Sequence, residues 1–251
     1  MQLDDAAWSS PWRRRSVAEK ALLCLGLLLV AATTGSPVVA AVVGLLVTGL
    51  ALLTAMVPPG LWWRVLLGPA VFVAVGAVTV ALDLGAATGS DVWRLGPVGM
   101  TTSGVETALL VSLRALAATS AMLLLAATTP MVEVLSALRR VGVPGPVVDV
   151  AAVMYRMIFG LLEAMAAIRE AQAGRLGYAS GHAARRSLGQ LVAAVMVRAW
   201  TRAARLEDGL AGRGGVEAVP MVPARPVSLP FALAAVVLVT VTGAASVLVA
   251  L

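Results

Sequence analysis

Long apolar runs separated by short polar breaks restrict this chain to folds that cross a membrane or lie along its surface. A helix needs about 20 predominantly apolar residues to cross roughly 30 Å of hydrocarbon. Hydrophobic residues make up 60% of the 251 residues and charged residues only 13%, against about 25% charged in soluble domains. The sequence therefore predicts an all-α, polytopic membrane protein with about five transmembrane helices. The predicted spans are 18–34, 38–57, 66–84, 105–128 and 229–251.

The cations indicate how these helices are oriented. Arg13, Arg14 and Arg15 precede the first span and Lys20 lies at its start, whereas Arg94 alone lies between the third and fourth. Twelve arginines fall within 129–227. Since cytoplasmic loops carry an excess of Lys and Arg, we expect the N-terminus, the turn around Arg64 and the 129–227 region to be cytoplasmic in a multi-pass protein of the cell membrane.

The same pattern predicts three parts of the chain. Residues 1–128 hold an N-terminal segment and the first four transmembrane helices, and residues 228–251 hold the last one. Residues 129–227 form a cytoplasmic or interfacial region with two long helices. In the first, 146–173, Asp149, Arg156, Glu163 and Glu170 recur every seven residues, so they share one face. They make a narrow polar seam on a helix that must otherwise be covered by lipid, the interface or other helices.

The second long helix, 183–213, reads as amphipathic. Leu188, Val192, Val195 and Ala199 begin an apolar face with helical spacing, and an adjacent arginine strip runs alongside it. The members of that strip are Arg198, Arg202, Arg205 and Arg213. The glycine-bounded stretch 177–181 separates the two helices, so the pair is expected to form an elongated hairpin arm.

The pattern Ala-Gly-Arg-x-Gly occurs twice in this region, at 173–177 and at 211–215. Each copy has an acid five residues before its arginine, Glu170 or Asp208. One interpretation is a pair of helix ends with a fixed cation, made for two equivalent sockets on a twofold partner. The alternative is ordinary helix termination, because a cation in the last turn is favoured by about 0.3–1 kcal/mol and glycine is common just past a helix. Both remain open from the residues alone.

Other residues limit the possible chemistry. Cys24 is the only cysteine and His182 the only histidine, so a cysteine or histidine metal centre is not expected. No basic stretch interleaves with aromatic residues as nucleic-acid binding requires. Arg114 lies about ten residues into the fourth span, with Glu106 on the same face. Arg114 is expected either to face other helices or a membrane partner, or to reach back to the interface.

Several short motifs, taken in order, resemble the CbiQ family. CbiQ proteins are the transmembrane, or T, components of energy-coupling factor (ECF) transporters, and this branch usually serves cobalt. The resemblance extends from the N-terminal segment to about Gly215. The motifs are Asp4 with Ser10-Pro11-Trp12-Arg13-Arg14, Thr128-Thr129-Pro130-Met131, Ala137-Leu138-Arg139-Arg140-Val141-Gly142-Val143-Pro144, Tyr155-Arg156-Met157-Ile158-Phe159, Glu170-Ala171-Gln172 with Arg175-Leu176-Gly177-Tyr178, and Arg202, Arg205 with Ala211-Gly212-Arg213-Gly214.

The resemblance implies that two x-Arg-x motifs end two coupling helices and insert into grooves on two ATP-binding cassette subunits. In this chain they are Gly174-Arg175-Leu176 and Gly212-Arg213-Gly214. Both have glycine where alanine is commonest, and the first ends in leucine. The arms would pass the ATPase motion to a membrane S component that binds cobalt or a related divalent metal. This S component is also the membrane partner implied for Arg114.

Two other functional classes are possible. A membrane-bound lipid-modifying enzyme would need clustered carboxylates for a divalent metal, and Glu207-Asp208 is the best candidate. A scaffold that gathers anionic lipid with its arginine strip would tolerate Arg→Lys changes. The chain has no phosphate-binding Walker A motif, so we expect a non-catalytic subunit without catalytic, cofactor or metal residues, and ATP hydrolysis by separate chains.

Overall fold

The computed structural model describes residues 2–83, 91–95, 98–212 and 225–249. It divides into two compact units, one of Met1–Val134 with Pro223–Leu251 and one of Leu135–Val222. The described residues are mainly helical, which confirms the all-α prediction. The α-helices are α1 Gln2–Ser9, α2 Val17–Thr33, α3 Pro37–Gly49, α4 Pro59–Ala81, α5 Thr102–Thr128, α6 Met131–Arg140, α7 Gly145–Gly174, α8 Gly181–Ala211 and α9 Leu229–Leu248. A 3-10 helix, Pro11–Arg14, precedes α2, and a π-helical turn, Leu50–Thr54, extends α3.

Five helices among the described residues are long and apolar enough to cross a membrane, which confirms the predicted number. They are Pro37–Thr54, Pro59–Ala81, Thr102–Thr128, Gly145–Gly174 and Leu229–Leu248. This set includes α7, which the sequence places in the cytoplasmic or interfacial region. It leaves out α2, whose 17 residues extend about 25 Å, short of the roughly 30 Å hydrocarbon thickness. The expected cytoplasmic position of 129–227 stays a prediction, as do the divisions near 128 and 227.

The first unit is organised around α5, which packs against α2, α3 and α4, while α9 packs against α2. Small residues allow this close approach: Ala117 and Ala121 of α5 are buried, and a Cβ placed on Gly44 would lie 3.6 Å from the Ala117 Cβ. Such small-residue contacts are the usual basis of helix association in membranes. The core also holds Leu27, Val43 and Leu124, which are fully buried.

Prolines set several helix starts in this unit. Pro37 and Pro59 are the first residues of α3 and α4, a position where the missing N–H loses no helical bond. Helix α4 therefore begins at Pro59, seven residues before the predicted start at 66. The neighbouring tryptophans near its start lie in different surroundings, because Trp62 is 1% exposed in the core and Trp63 is 56% exposed.

The described residues of the polar connection between α4 and α5 form three short strands. They are β1 Leu82–Asp83, β2 Asp91–Leu95 and β3 Val98–Thr101. The strand order is β1-β3-β2 and both pairs are antiparallel, with Leu82 opposite Met100 and Arg94 opposite Gly99. Thr101 then caps α5 by accepting a hydrogen bond from the Gly104 N–H at 3.1 Å, as N-cap residues commonly do.

The second unit contains the expected helix pair. Helices α7 and α8 have 30 and 31 residues, and the short turn 175–180 joins them. Side-chain contacts pair early residues of one helix with late residues of the other, so the helices run antiparallel. Gln172 meets Ser187 near the turn, and Met157 and Ala203 line one cavity farther along. The predicted hairpin is thus present within this unit.

Candidate functional site

The first x-Arg-x motif lies at the end of α7. Gly174 is the last helical residue and Arg175 is the C-cap residue. The Leu176 N–H donates to the Ala173 carbonyl at 3.0 Å and the Gly177 N–H to the Gln172 carbonyl at 2.9 Å. These two bonds define a Schellman motif, which satisfies carbonyls that a helix end leaves without partners. The Arg175 side chain is exposed, so its cationic group is accessible at the end of α7.

Leu176 occupies a backbone conformation that favours glycine. Its φ is +58°, and the residue after the C-cap in this motif is usually glycine because a Cβ there is strained. Leu176 is also 74% exposed. An apolar side chain is therefore held in solvent beside Arg175 by a strained turn, and such strain tends to occur at functional sites.

Three side-chain hydrogen bonds hold this turn, and two of them involve Ser187 near the start of α8. Gln172 Nε2 donates to the Ser187 carbonyl at 2.9 Å, Ser187 Oγ donates to the Gly177 carbonyl at 2.8 Å, and the Tyr178 hydroxyl donates to Gln172 Oε1 at 2.7 Å. A Cβ on Gly177 would lie 2.6 Å from Ser187 Oγ, so this position admits only glycine. The base on which Arg175 stands is therefore rigid and closely packed.

The second motif begins at the end of α8. Gly212 is the C-cap residue, and its N–H donates to the Asp208 carbonyl at 3.1 Å. Arg213 and Gly214 lie outside the described residues. Because α7 and α8 are antiparallel, their C-terminal ends are at opposite ends of the hairpin. A helix of 31 residues places them about 45 Å apart.

The face that α8 turns toward α7 coincides only in part with the apolar face that the sequence indicates. Ser187 and Leu191 are buried, whereas Leu188 and Val192 are 51% and 68% exposed. The hydrogen bonds of Ser187 set this rotation, which places the predicted first half of the face outside the hairpin. Farther along, Val195, Ala199 and Leu206 are half-buried as the pattern indicates.

One arginine of the predicted strip contacts α7. The Arg202 guanidinium packs on Gly160 so closely that a Cβ there would clash with it, and Arg202 lines a cavity of about 230 Å³ between the helices. Arg198, Arg202 and Arg205 are nevertheless all exposed. The strip therefore stays on the surface of α8, and Arg202 also takes part in the packing of the two helices.

The polar seam of α7 is only partly engaged. Asp149 pairs with Arg139 of α6 at 3.1 Å, which ties the start of α7 to the preceding helix. Arg156, Glu163 and Glu170 are exposed. Apolar residues of α7 are exposed as well: Val150, Met154 and Ile158 are 59%, 60% and 48% exposed. Helix α7 therefore has apolar surface to bury in lipid or against another protein.

Arg114 faces another helix rather than open lipid. It is half-buried, and its Nη2 donates to the carbonyl of Thr34, the C-cap residue of α2. The carbonyls at the C-terminal end of a helix carry partial negative charge. The Arg114 guanidinium therefore stabilises this end of α2 electrostatically. Glu106 is exposed. A contact between Arg114 and an S component stays a prediction.

A buried charged cluster in the first unit was not predicted. Lys20, the only lysine, is fully buried; its Nζ donates to the Thr128 carbonyl at 2.9 Å and lies 3.8 Å from Glu133 Oε2. Glu133 also pairs with Arg225 at 3.0 Å. The cluster joins the start of α2, the end of α5, the start of α6 and the segment before α9. The signal available in the sequence was a single lysine among eighteen arginines.

A second set of polar contacts extends this cluster toward α9. Glu19 is 2% exposed and accepts the Ser228 N–H, while the Arg15 Nη1 donates to Ser228 Oγ at 2.5 Å. The Arg15 guanidinium lies 4.9 Å from the Phe231 ring centroid. Cations placed before α2 therefore serve as packing and hydrogen-bonding groups within the fold.

Comparison with known proteins identifies the family. A family model described as CbiQ, cobalt transport protein, matches residues 9–223. The chain belongs to the CbiQ family. The match covers α2 to α8 and the sequence of both x-Arg-x motifs. Together with the five apolar helices, it shows a multi-pass membrane protein of a transport family.

Curated relatives agree with this family. The chain is 35% identical over 231 residues to the cobalt transport protein CbiQ of Rhodobacter capsulatus, covering 92% of this chain and 91% of the relative. It is 30% identical over 207 residues to CbiQ of Salmonella typhimurium, covering 80% and 90%. It is also 32% identical over 203 residues to a fused cobalt transport protein, CbiMQ, of Methanocorpusculum labreanum, of which it spans 34%.

Proposed function

We propose that this chain is the transmembrane coupling subunit of an ECF-type importer for cobalt or a related divalent metal. In this function it transmits the motion of two ATP-binding cassette subunits to a membrane S component that binds the metal, and it performs no catalysis itself. The observation that carries the proposal is membership of the CbiQ family over residues 9–223. The relatives from Rhodobacter capsulatus and Salmonella typhimurium are both described as cobalt transport proteins.

The geometry of the hairpin supports two separate docking points. The ends of α7 and α8 are about 45 Å apart along the hairpin, too far for both to enter one groove. A pair of ATPase subunits offers two equivalent grooves at separate positions. Each helix end would then engage one subunit.

The chemistry of Arg175 suits such a contact. Its guanidinium keeps its charge and offers five donors in a planar fork, so it can bind a carboxylate and backbone carbonyls at once. Leu176 places an exposed apolar group beside the fork. A groove with an acidic floor and an apolar wall would be complementary to this pair.

Transmission also requires a stiff connection behind the contact. The hydrogen bonds among Gln172, Ser187 and Tyr178 hold the turn, and the Arg139–Asp149 ion pair holds the opposite end of α7. A change in the separation of two grooves would then move whole helices rather than a loop. The ATPase states must bind the arms with different free energies for this motion to be driven.

The experiment is co-purification of the ATPase subunits with tagged variants, combined with uptake of radioactive cobalt. Arg175→Ala and Arg213→Ala should each reduce both, and the double variant should abolish both. Arg169→Ala is the matched control, because Arg169 is exposed on the same helix less than two turns before the motif. Unchanged co-purification with the double variant would reject the proposal.

Lysine variants separate docking from lipid gathering. Arg175→Lys keeps the charge and removes the planar fork, so docking should remain impaired. A scaffold that attracts anionic lipid responds to charge and should tolerate the change. Full activity of the Arg175→Lys, Arg213→Lys double variant would favour the scaffold.

A further inference from the structure

A cavity in the first unit is lined by three arginines from two distant parts of the sequence. It measures about 820 Å³, and its walls include Arg13 and Arg14 of the 3-10 helix and Arg225 before α9. Trp8 and Ser9 of α1 complete the wall. The cluster lies directly before α2, which begins at Val17.

Arg13 is held in place and has an unused donor. Its guanidinium lies 4.2 Å from the centroid of the Trp8 ring, a cation–π contact that orients the group. Its Nε is buried and donates to no acceptor among the described residues. A buried donor without an acceptor is unfavourable, so the site is short of a hydrogen-bond acceptor.

The charges around the cavity are unbalanced. Arg225 donates one Nη2 bond to Glu133 at 3.0 Å, and a guanidinium has five N–H donors. Arg13 and Arg14 form no ion pair among the described residues. Asp5, on α1, lines a different cavity with Arg64. In the part of the chain that the structure describes, the three arginines have one carboxylate partner between them, Glu133, which leaves an excess of positive charge. This excess favours the binding of an anion in the cavity.

We propose that this cavity binds the phosphate of an anionic phospholipid headgroup. Its volume lies within the range of roughly 300–1,000 Å³ typical of organic ligands, so a free phosphate would leave most of it empty. Trp8 is 43% exposed, as side chains at the headgroup level commonly are. Basic clusters beside membrane helices recognise anionic lipids in this way. The inference is independent of ATPase docking.

The test measures the thermal shift of delipidated protein in neutral detergent. Phosphatidylglycerol or cardiolipin at about 100 times its dissociation constant should raise Tm by roughly 5 °C or more, whereas phosphatidylcholine should not. In the Arg13→Gln/Arg14→Gln variant the apparent affinity for phosphatidylglycerol should fall about tenfold or more, because charge-assisted bonds to phosphate are lost.

The controls separate the site from general charge. Arg198→Gln/Arg205→Gln removes two exposed arginines from α8 and should keep the full shift. Arg14→Gln alone changes an exposed side chain, so it folds, and its affinity should fall by an intermediate factor. Equal affinity in the native protein and the Arg13/Arg14 variant would overturn the site. An equal Tm shift with inorganic phosphate would overturn the assignment to lipid.

Discussion

At the residue scale, the turn after α7 contains three consecutive residues with different roles: Arg175, Leu176 and Gly177. Arg175 presents a charge, Leu176 accepts the left-handed conformation at φ +58°, and Gly177 allows α8 to approach. A leucine in that conformation costs about 1 kcal/mol relative to its usual states. The Schellman bonds and the Gln172–Ser187 contact offset this strain. The conformation of the turn therefore depends on its neighbours as much as on its own residues.

Gly177→Ala should loosen this turn. The added Cβ would lie 2.6 Å from Ser187 Oγ and 2.8 Å from the Gln172 carbonyl oxygen, and overpacking of this kind costs about 1–3 kcal/mol. Limited proteolysis with trypsin, followed by mass analysis of the fragments, should show faster cleavage after Arg175.

Gly174→Ala is the matched control for that experiment. A Cβ at Gly174 meets nothing within 4 Å, and alanine favours the helical conformation over glycine. Cleavage after Arg175 should be unchanged or slower. Equal acceleration by both substitutions would contradict the packing assigned to Gly177.

At the element scale, the buried cluster around Lys20 joins parts of the chain that are distant in sequence. Lys20 lies in the first turn of α2, Thr128 ends α5, Glu133 lies in the first turn of α6 and Arg225 precedes α9. Their charges and hydrogen bonds connect these elements at one end of the first unit. Such directional contacts fix the relative position of the elements more precisely than apolar packing alone. Removal of one member leaves the buried remainder with an incomplete set of charges and hydrogen bonds, and buried charges usually occur in paired sets for this reason.

Lys20→Met should therefore destabilise the first unit. It removes the donor to the Thr128 carbonyl and one cation beside Glu133, and the loss of one partner in a buried pair costs about 3–5 kcal/mol. We expect Tm in detergent to fall by roughly 6 °C or more.

Lys20→Arg and Arg64→Met test the specificity of this effect. Lys20 is 0% exposed, so the larger guanidinium should not restore stability although it keeps the charge. Arg64 is exposed in the same unit, and its replacement should leave Tm nearly unchanged. A Lys20→Met protein as stable as the native one would show that the cluster contributes little.

At the scale of the whole molecule, two positions of α7 relative to the membrane are to be compared: one in the cytoplasm and one across the bilayer. The positive-inside rule, applied to the arginines of 129–227, predicts a cytoplasmic position for this region. Helix α7 has 30 residues and an apolar exterior, so its length and composition also suit a membrane span. The two arrangements put the 175–180 turn on opposite sides of the membrane.

Single cysteines distinguish these arrangements by labelling intact cells with a membrane-impermeant maleimide. Native Cys24 is 1% exposed and should not react. Gly35→Cys should be labelled from outside, whereas Gly60→Cys and Ala179→Cys should react only after permeabilisation. Labelling of Ala179→Cys in intact cells would contradict the cytoplasmic placement of the turn.

Much of the architecture was predictable because its signals are local. Pro130 follows the end of α5, and the two long helices of the second unit begin and end within two residues of their predicted bounds. The predicted span from 66 starts too late, because Pro59 lies at the first helical position of α4 and proline there favours a helix start. The arginine at the end of α7 was predicted, whereas Arg213 lies outside the described residues.

Hydrophobic run length, proline position and glycine spacing determined the helical membrane fold and the hairpin without any knowledge of contacts, because each acts within a few residues of its own backbone. Tertiary structure alone decided that Lys20 is buried, that Leu188 is exposed while Leu191 is not, and that Arg225 shares a cavity with Arg13. These outcomes depend on which helices meet and at what rotation. The helix contacts and rotations that form are those that minimise the free energy of the whole bundle, so they cannot be deduced from any single segment.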